Sequence, residues 1–386
     1  KLEIKLLIVE DNTGWQEELK YLCETVLDEI HQDETLKHLY LDDTFVYNKA
    51  TAIKVVGDLE SAKAYIEQEA LAHPRNAASN SQSYFDLVTV DINLTDETLE
   101  DTTEGWDFLT FLKEKLGEAN VIIVSGEKSP GLVIEGLQKY GALSYVWKRQ
   151  FEDAVFESEV KAIILYNDAV KLLNTWQWRN AKRALELWRL LHQIEFEHRP
   201  VYRLNIEDTF AKRVDSLTRI PNANWSHKML GSLLDRQNWV LLSLTIKGLE
   251  DFSAVLRGSQ HADQVRRFMA QILENTVLEL GNETDFTGHV DGEFILISTP
   301  DRIEALWTRI EEQFNRQIGI FYDLQDNERG YAVLKVDGRE EKIPLMRVVR
   351  SQVTADDGPF FSIETITELA AERKQNSGNQ KILSDS

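Results

Sequence analysis

Five short apolar runs, at residues 5–9, 53–56, 86–90, 121–124 and 144–147, alternate with helix-period segments over the first 150 residues of this 386-residue chain. A run such as Leu87-Val-Thr-Val90 offers no solvated face, so the strand it forms has to be covered on both sides. Buried strands alternating with helices predict an α/β fold built on a doubly wound, five-stranded parallel sheet. Ligands of such sheets bind outside the carboxyl ends of the strands. Those ends are polar here: Glu10-Asp11 after the first run, Asp91 after the third, Ser125 after the fourth and Lys148 after the fifth.

These residue types suit one chemistry. Glu10, Asp11 and Asp91, with the backbone carbonyl of Asn93, can share a Mg²⁺ ion, which takes a few carboxylates and keeps waters. Such an ion lowers the repulsion between Asp91 and an incoming phosphoryl group. Ser125 can donate a hydroxyl to a phosphoryl oxygen, and Lys148 can set a point charge beside another. Asn12-Thr13 should open a helix running to about residue 27, with Trp15, Leu19, Leu22, Cys23 and Val26 on its apolar stripe. Residues 73–83 read as a mobile loop and 95–104 as a polar insertion before Gly105.

The set Glu10-Asp11, Asp91, Ser125, Lys148, with Gly141-Ala142 before the last strand, resembles the receiver domain of two-component response regulators over residues 1–151. The resemblance implies that Asp91 is the phosphoacceptor and that Tyr145 is the aromatic that turns inward on activation. It also implies a histidine kinase or a small phosphodonor as the source of the phosphoryl group. Arg149 stands where the family carries a cis-proline, and no Pro-Gly follows Asn93-Leu94.

The formal charge of −22 and pI near 4.9 exclude a nucleic-acid or anionic-membrane surface, which need clustered Lys and Arg. The single cysteine, Cys23, rules out a disulfide framework and reads as inert core. No run approaches the length of a membrane span and the opening residues are too charged for a signal peptide, so a cytoplasmic protein is expected.

Residues 152–213 read as a helical linker. Phe156, Val160, Ile163, Asn167, Val170 and Asn174 form a heptad-like seam, and Ala181, Ala184, Trp188 and Leu191 repeat the spacing. A polar interruption around residues 177–180 separates the two, and Trp176, Trp178 and Trp188 add large apolar area. The pattern fits either a helical hairpin packed on a neighbouring domain or a signalling helix that forms a homodimer.

Residues 214–222, Val-Asp-Ser-Leu-Thr-Arg-Ile-Pro-Asn, resemble the Asp-x-Leu-Thr-Gly-Leu-Pro-Asn opening of GGDEF-type diguanylate cyclases. The resemblance extends over residues 214–374 and implies an α+β, palm-like domain. Gly288-His-Val-Asp-Gly-Glu-Phe294 occupies the signature, and its Asp-Gly pair is a strong hairpin signal. Glu293 and Phe294 are in family register, while Val290 and Asp291 replace the two glycines. The metal carboxylates should stand at Thr245 and Gly292, so both are missing. Ser253 replaces the guanine-reading asparagine, and Asp263 matches its acidic partner. Asp263 and the Gly258 region are therefore the candidates for a nucleotide remnant, although Asp263 also reads as a first-turn helix acid. The product-site Arg-x-x-Asp appears as Asn282-Glu-Thr-Asp285, without its arginine. Residues 375–386 should form a frayed tail.

Taken together, these features predict a phosphorylation-dependent response regulator that signals through an inactive GGDEF-like domain, with Mg²⁺ in the receiver and no firm cofactor in the second domain. The competing expectations are a divergent active cyclase or nucleotidyltransferase, and a constitutive scaffold whose receiver is never phosphorylated.

Overall fold

A computed structural model describes residues 2–37, 45–46, 52–72, 84–94, 104–127, 129–194, 200–253, 259–336 and 339–382. The expected loop at 73–83, the insertion at 95–103 and Gly258 lie outside them. The chain forms two compact units, Lys1–Thr175 with Lys182–Glu207, and Trp176–Ala181 with Asp208–Ser386.

In the first unit, β1 (Leu6–Val9), β2 (Ile53–Val56), β3 (Leu87–Val90), β4 (Val121–Ser125) and β5 (Ser144–Trp147) form a parallel sheet in the order β2-β1-β3-β4-β5. Every residue of β1, β3 and β4 is buried, the signature of a sheet covered on both faces. The intervening helices are α1 (Thr13–Gln32), α2 (Leu59–Ala72), α3 (Glu104–Leu116) and the short α4 (Pro130–Ile134), which continues as a π-helical turn to Lys139. As expected, Asn12 caps α1, its Oδ1 accepting the Trp15 backbone N–H at 3.1 Å.

The segment expected to be a linker begins as the fifth helix of this fold. α5 (Asp153–Asn174) packs with the first unit, and Phe156, Val160 and Ile163 are wholly buried. The polar interruption of its seam has a tertiary cause. Asn167 donates to Asp86, which precedes β3, and accepts from Asn120 Nδ2 at 2.9 Å. Lys171 pairs with the same Asp86 carboxylate, whose other oxygen accepts the Lys5 backbone N–H at 2.7 Å. Nearer the start of α5, Glu159 accepts the Ser144 hydroxyl at 2.6 Å. Buried polar groups are tolerated when paired in this way. Tyr166 of α5 meets Trp188 of α6 (Trp178–Leu191) and Tyr202 at ring-centroid separations of 6.3 and 4.8 Å. Phe156, Val160, Ile163 and Asn167 of the seam are thus buried within the unit.

α7 (Ile206–Arg213) runs across the boundary after Glu207, and in the second unit α8 (Ala223–Gly231) precedes β6 (Val240–Lys247), α9 (Ser259–Leu280), β7 (Phe286–Val290), β8 (Glu293–Ser298) and α10 (Ile303–Gln317). There follow β9 (Tyr331–Val336), β10 (Arg339–Pro344), β11 (Arg347–Thr354) and α11 (Ile363–Ile382). The antiparallel sheet runs β11-β6-β8-β7, and β9 and β10 form a separate hairpin. Asp291 (φ 49°) and Gly292 (φ 82°) turn the signature hairpin with both central residues left-handed, the geometry that Asp-Gly favours. Asp215 closes the 215–218 turn by accepting the N–H groups of Leu217 (3.0 Å) and Thr218 (2.8 Å). Arg219 adopts φ 64° where the resembled motif has glycine. In the segment expected as a tail, α11 runs to Ile382; residues 383–386 lie outside the described set.

Candidate functional site

Strand register assembles the site. Val9 pairs with Val90, so Glu10 and Asp91 leave the sheet side by side, and Ser125 pairs with Trp147, immediately before Lys148. The Lys148 ammonium bridges the two carboxylates, 2.6 Å from Asp91 Oδ2 and 2.7 Å from Glu10 Oε1. Glu10, Asp91 and Ser125 are buried and Asp11 is exposed. Burial pushes the Glu10 carboxyl up to about 7 against the pull of Lys148, and raises Asp91 for the same reason. Burial opposes the charge on Lys148, yet Asp91 and Glu10 outweigh it and hold its pKa above the usual value.

The acceptor loop is tied by its own backbone. Asn93 N–H donates to Asp91 Oδ1 at 3.2 Å, and Gly105 N–H to the Ile92 carbonyl at 2.9 Å. Ser125 Oγ accepts the Glu127 N–H at 3.3 Å. Tyr145 is half-buried, with its hydroxyl donating to the Glu127 carbonyl at 2.5 Å, and Trp147 Nε1 donates to Gly126 at 3.0 Å. Burial pushes the Tyr145 phenol up to about 12.

A divalent cation fits these donors. One ligand oxygen from each of Glu10, Asp11 and Asp91 lies within 4.8 Å of the others. Glu10 Oε2 is buried without a hydrogen-bond partner, a costly condition that a bound cation would relieve. An all-oxygen set is what Mg²⁺ takes.

Three residues that touch this site were not singled out by the sequence. A Cβ on Gly105 would stand 2.4 Å from the Asp91 carbonyl oxygen and 2.6 Å from Ile92 Cα, so only glycine lets α3 approach the loop this closely. Gln16 Nε2 donates to the Glu10 carbonyl at 2.6 Å. Trp15, expected only as a core residue, lies with its ring under Lys148. A glycine in the first turn of a helix after a strand-end aspartate is the one local cue among them.

In the second unit the altered signature is satisfied internally. Thr245 donates its hydroxyl to Glu293 Oε2 at 2.5 Å, and Lys374 of α11 pairs with Glu293 Oε1 at 2.6 Å. Gly292 is exposed in the turn, with nothing near it that a Cβ would meet. Val290 and Phe294 are buried in the sheet. Asp263 lies in the second turn of α9, paired with Arg266 at 2.9 Å on a half-exposed face, so it is neither a cap nor in the first turn. Ser253 is half-buried. Asp285 is buried and accepts the Asn282 N–H at 2.9 Å, closing the turn into β7.

No family model matches the chain, and no curated protein matches it. Solved structures do. A response regulator from Thermotoga maritima aligns at 18% identity over 42% of this chain and 98% of its own, with a TM-score of 0.28. The solved structures similar to this chain include receiver domains and GGDEF domains. The GGDEF domain of DgcB from Caulobacter crescentus, solved with c-di-GMP, aligns at 17% identity over 47% of this chain and 94% of its own, TM-score 0.31. The diguanylate cyclase SiaD from Pseudomonas aeruginosa, solved with its activator SiaC, aligns at 15% over 52% of this chain and 66% of its own, TM-score 0.32. The strand order β2-β1-β3-β4-β5 is itself one of the two common doubly wound arrangements, with ligands at the β1/β3 switch point where Glu10 and Asp91 lie. Among the described residues, no helix is long and apolar enough to cross a membrane.

Proposed function

We propose that the chain is a response regulator that accepts a phosphoryl group on Asp91 and signals through a GGDEF-like unit that does not turn over nucleotide. The observation that carries the first part is the Lys148 ammonium bridging Asp91 and Glu10. It marks a position beside the acceptor where a cation stabilises added negative charge. With acetyl phosphate as donor, an Asp91 carboxylate oxygen forms the new P–O bond as the bridging P–O bond breaks, and acetate leaves with its electron pair. Lys148 remains beside a phosphoryl oxygen, and the Ser125 hydroxyl is placed to donate to another. Mg²⁺, when held by Glu10, Asp11, Asp91 and the Asn93 carbonyl, would supply charge neutralisation for the transferring group. The gain from phosphorylation is a shift between two states, so the output is a protein partner that binds one of them better. Upstream, a histidine kinase or a small phosphodonor supplies the phosphoryl group.

The inactivity of the second unit is supported by Glu293. Thr245 and Lys374 each engage one of its oxygens, and neither expected metal carboxylate is present in the sequence. The test of the first part is labelling by acetyl phosphate with Mg²⁺. Wild type should label and Asp91→Ala should not; equal labelling overturns the reading. For the second part, GTP turnover that disappears in Glu293→Ala would overturn inactivity.

A further inference from the structure

The Lys148 ammonium has a third neighbour besides its two carboxylates. The Trp15 ring lies across it, with the ring centroid 5.3 Å from Nζ. That is within the range in which the negative face of an indole attracts an ammonium, and the attraction grows where water is excluded. Lys148 is in such a place, with its side chain only 11% exposed. Trp15 is itself fixed from two sides. Its backbone N–H is held by the Asn12 cap, and Phe151 meets its ring edge-on at a centroid separation of 4.9 Å. Phe151 in turn packs at 5.3 Å on Phe156, wholly buried in the first turn of α5.

Both carboxylates draw the ammonium the same way, toward the acidic corner. For Lys148 to serve a phosphoryl oxygen it must give up one of these partners without swinging into water. The indole face is an uncharged surface beside the ammonium that makes no competing ion pair.

We propose that Trp15 is a positioning residue that holds the Lys148 ammonium over Asp91, and that the series Trp15, Phe151, Phe156 passes a change at Lys148 to the start of α5. This rests on Asp91 being the phosphoacceptor. It asks of Trp15 no contact with the phosphoryl group.

The experiment uses the full chain as wild type, Trp15→Phe, Trp15→Leu and Lys148→Gln, each checked by circular dichroism and thermal midpoint. The first readout is the labelling rate with acetyl phosphate and Mg²⁺. Trp15→Leu should be about tenfold slower and Trp15→Phe intermediate, because indole binds a cation better than benzene does. The second readout is tryptophan emission without phosphodonor. Lys148→Gln should change the spectrum, and that change should vanish in a Trp15→Phe background. A Trp15→Leu rate equal to wild type, equal rates for the Phe and Leu variants, or a Lys148→Gln spectral change that persists without Trp15 would each overturn the assignment. Failure of wild type to label would remove the phosphoacceptor reading and the role of Trp15 with it. Labelling of wild type with an unaffected Trp15→Leu removes the role of Trp15 alone.

Discussion

Lys171→Met tests whether α5 is part of the fold of the first unit. The substitution keeps most of the apolar stem and removes an ammonium that is 10% exposed and paired with Asp86, which is 1% exposed. Breaking a buried ion pair by deleting one partner costs about 3–5 kcal/mol, because the other charge stays buried without compensation. Asp86 keeps two donors, the Lys5 N–H and Asn167 Nδ2, which places the expected loss near the lower end, about 3 kcal/mol. For a unit of this size that is a fall of roughly 6–12 °C in thermal midpoint. The assay is urea and thermal unfolding of the full chain, following the transition that moves when Mg²⁺ and beryllofluoride are added. Adding Asp86→Asn to Lys171→Met should recover part of the loss, since it removes the charge of one of the two buried carboxylates, Asp86 and Asp168, that lose the ammonium. A loss within about 0.5 kcal/mol, the value of a surface pair, would refute the reasoning, as would strict additivity in the double-mutant cycle.

Gly105→Ala should place a methyl against the Asp91 and Ile92 backbone, costing about 1–3 kcal/mol and slowing acetyl phosphate labelling more than Gly126→Ala, where a Cβ meets nothing within 4 Å. Arg219→Gly should raise stability by up to about 1 kcal/mol in urea unfolding, because φ 64° strains any side chain with a Cβ and glycine offsets that relief only partly through unfolded-state entropy. Cys23 is fully buried with its thiol pushed up to about 12, so a disulfide reagent at pH 8 should leave it unmodified until the protein unfolds. Asp357 is held at about 2, chiefly by its hydrogen bond to Arg373, below the value near 3.9 of an unfolded chain. Its stabilising contribution is therefore complete above about pH 4 and is lost as the pH falls toward 2; Arg373→Gln should flatten that part of an acid-unfolding curve.

The candidate site was largely legible because its residues sit at strand ends, and a strand end in a parallel sheet is a fixed place in space. Glu10, Asp91, Ser125 and Lys148 could be named from four apolar runs and the residue that follows each. The hairpin at Asp291-Gly292 was legible for a similar local reason, since few dipeptides favour two left-handed residues. The middle helices were not. Asn167 looks like a flaw in a heptad seam until Asp86 and Asn120, 81 and 47 residues away, are brought against it. Lys374 likewise lies 81 residues from Glu293, and no spacing in the chain announces their pairing.

The sequence by itself determined the alternation of elements, the burial of the first sheet on both faces and the kinds of side chain at its carboxyl edge. These follow from hydrophobic period and turn chemistry, which act over a few residues. Only the tertiary structure decided that α5 belongs to the first unit, that Gly105 must be glycine, that Trp15 faces Lys148 and that Glu293 pairs with Lys374 of α11. Those facts depend on which distant groups exclude water together, and burial of that kind is a property of the packed chain.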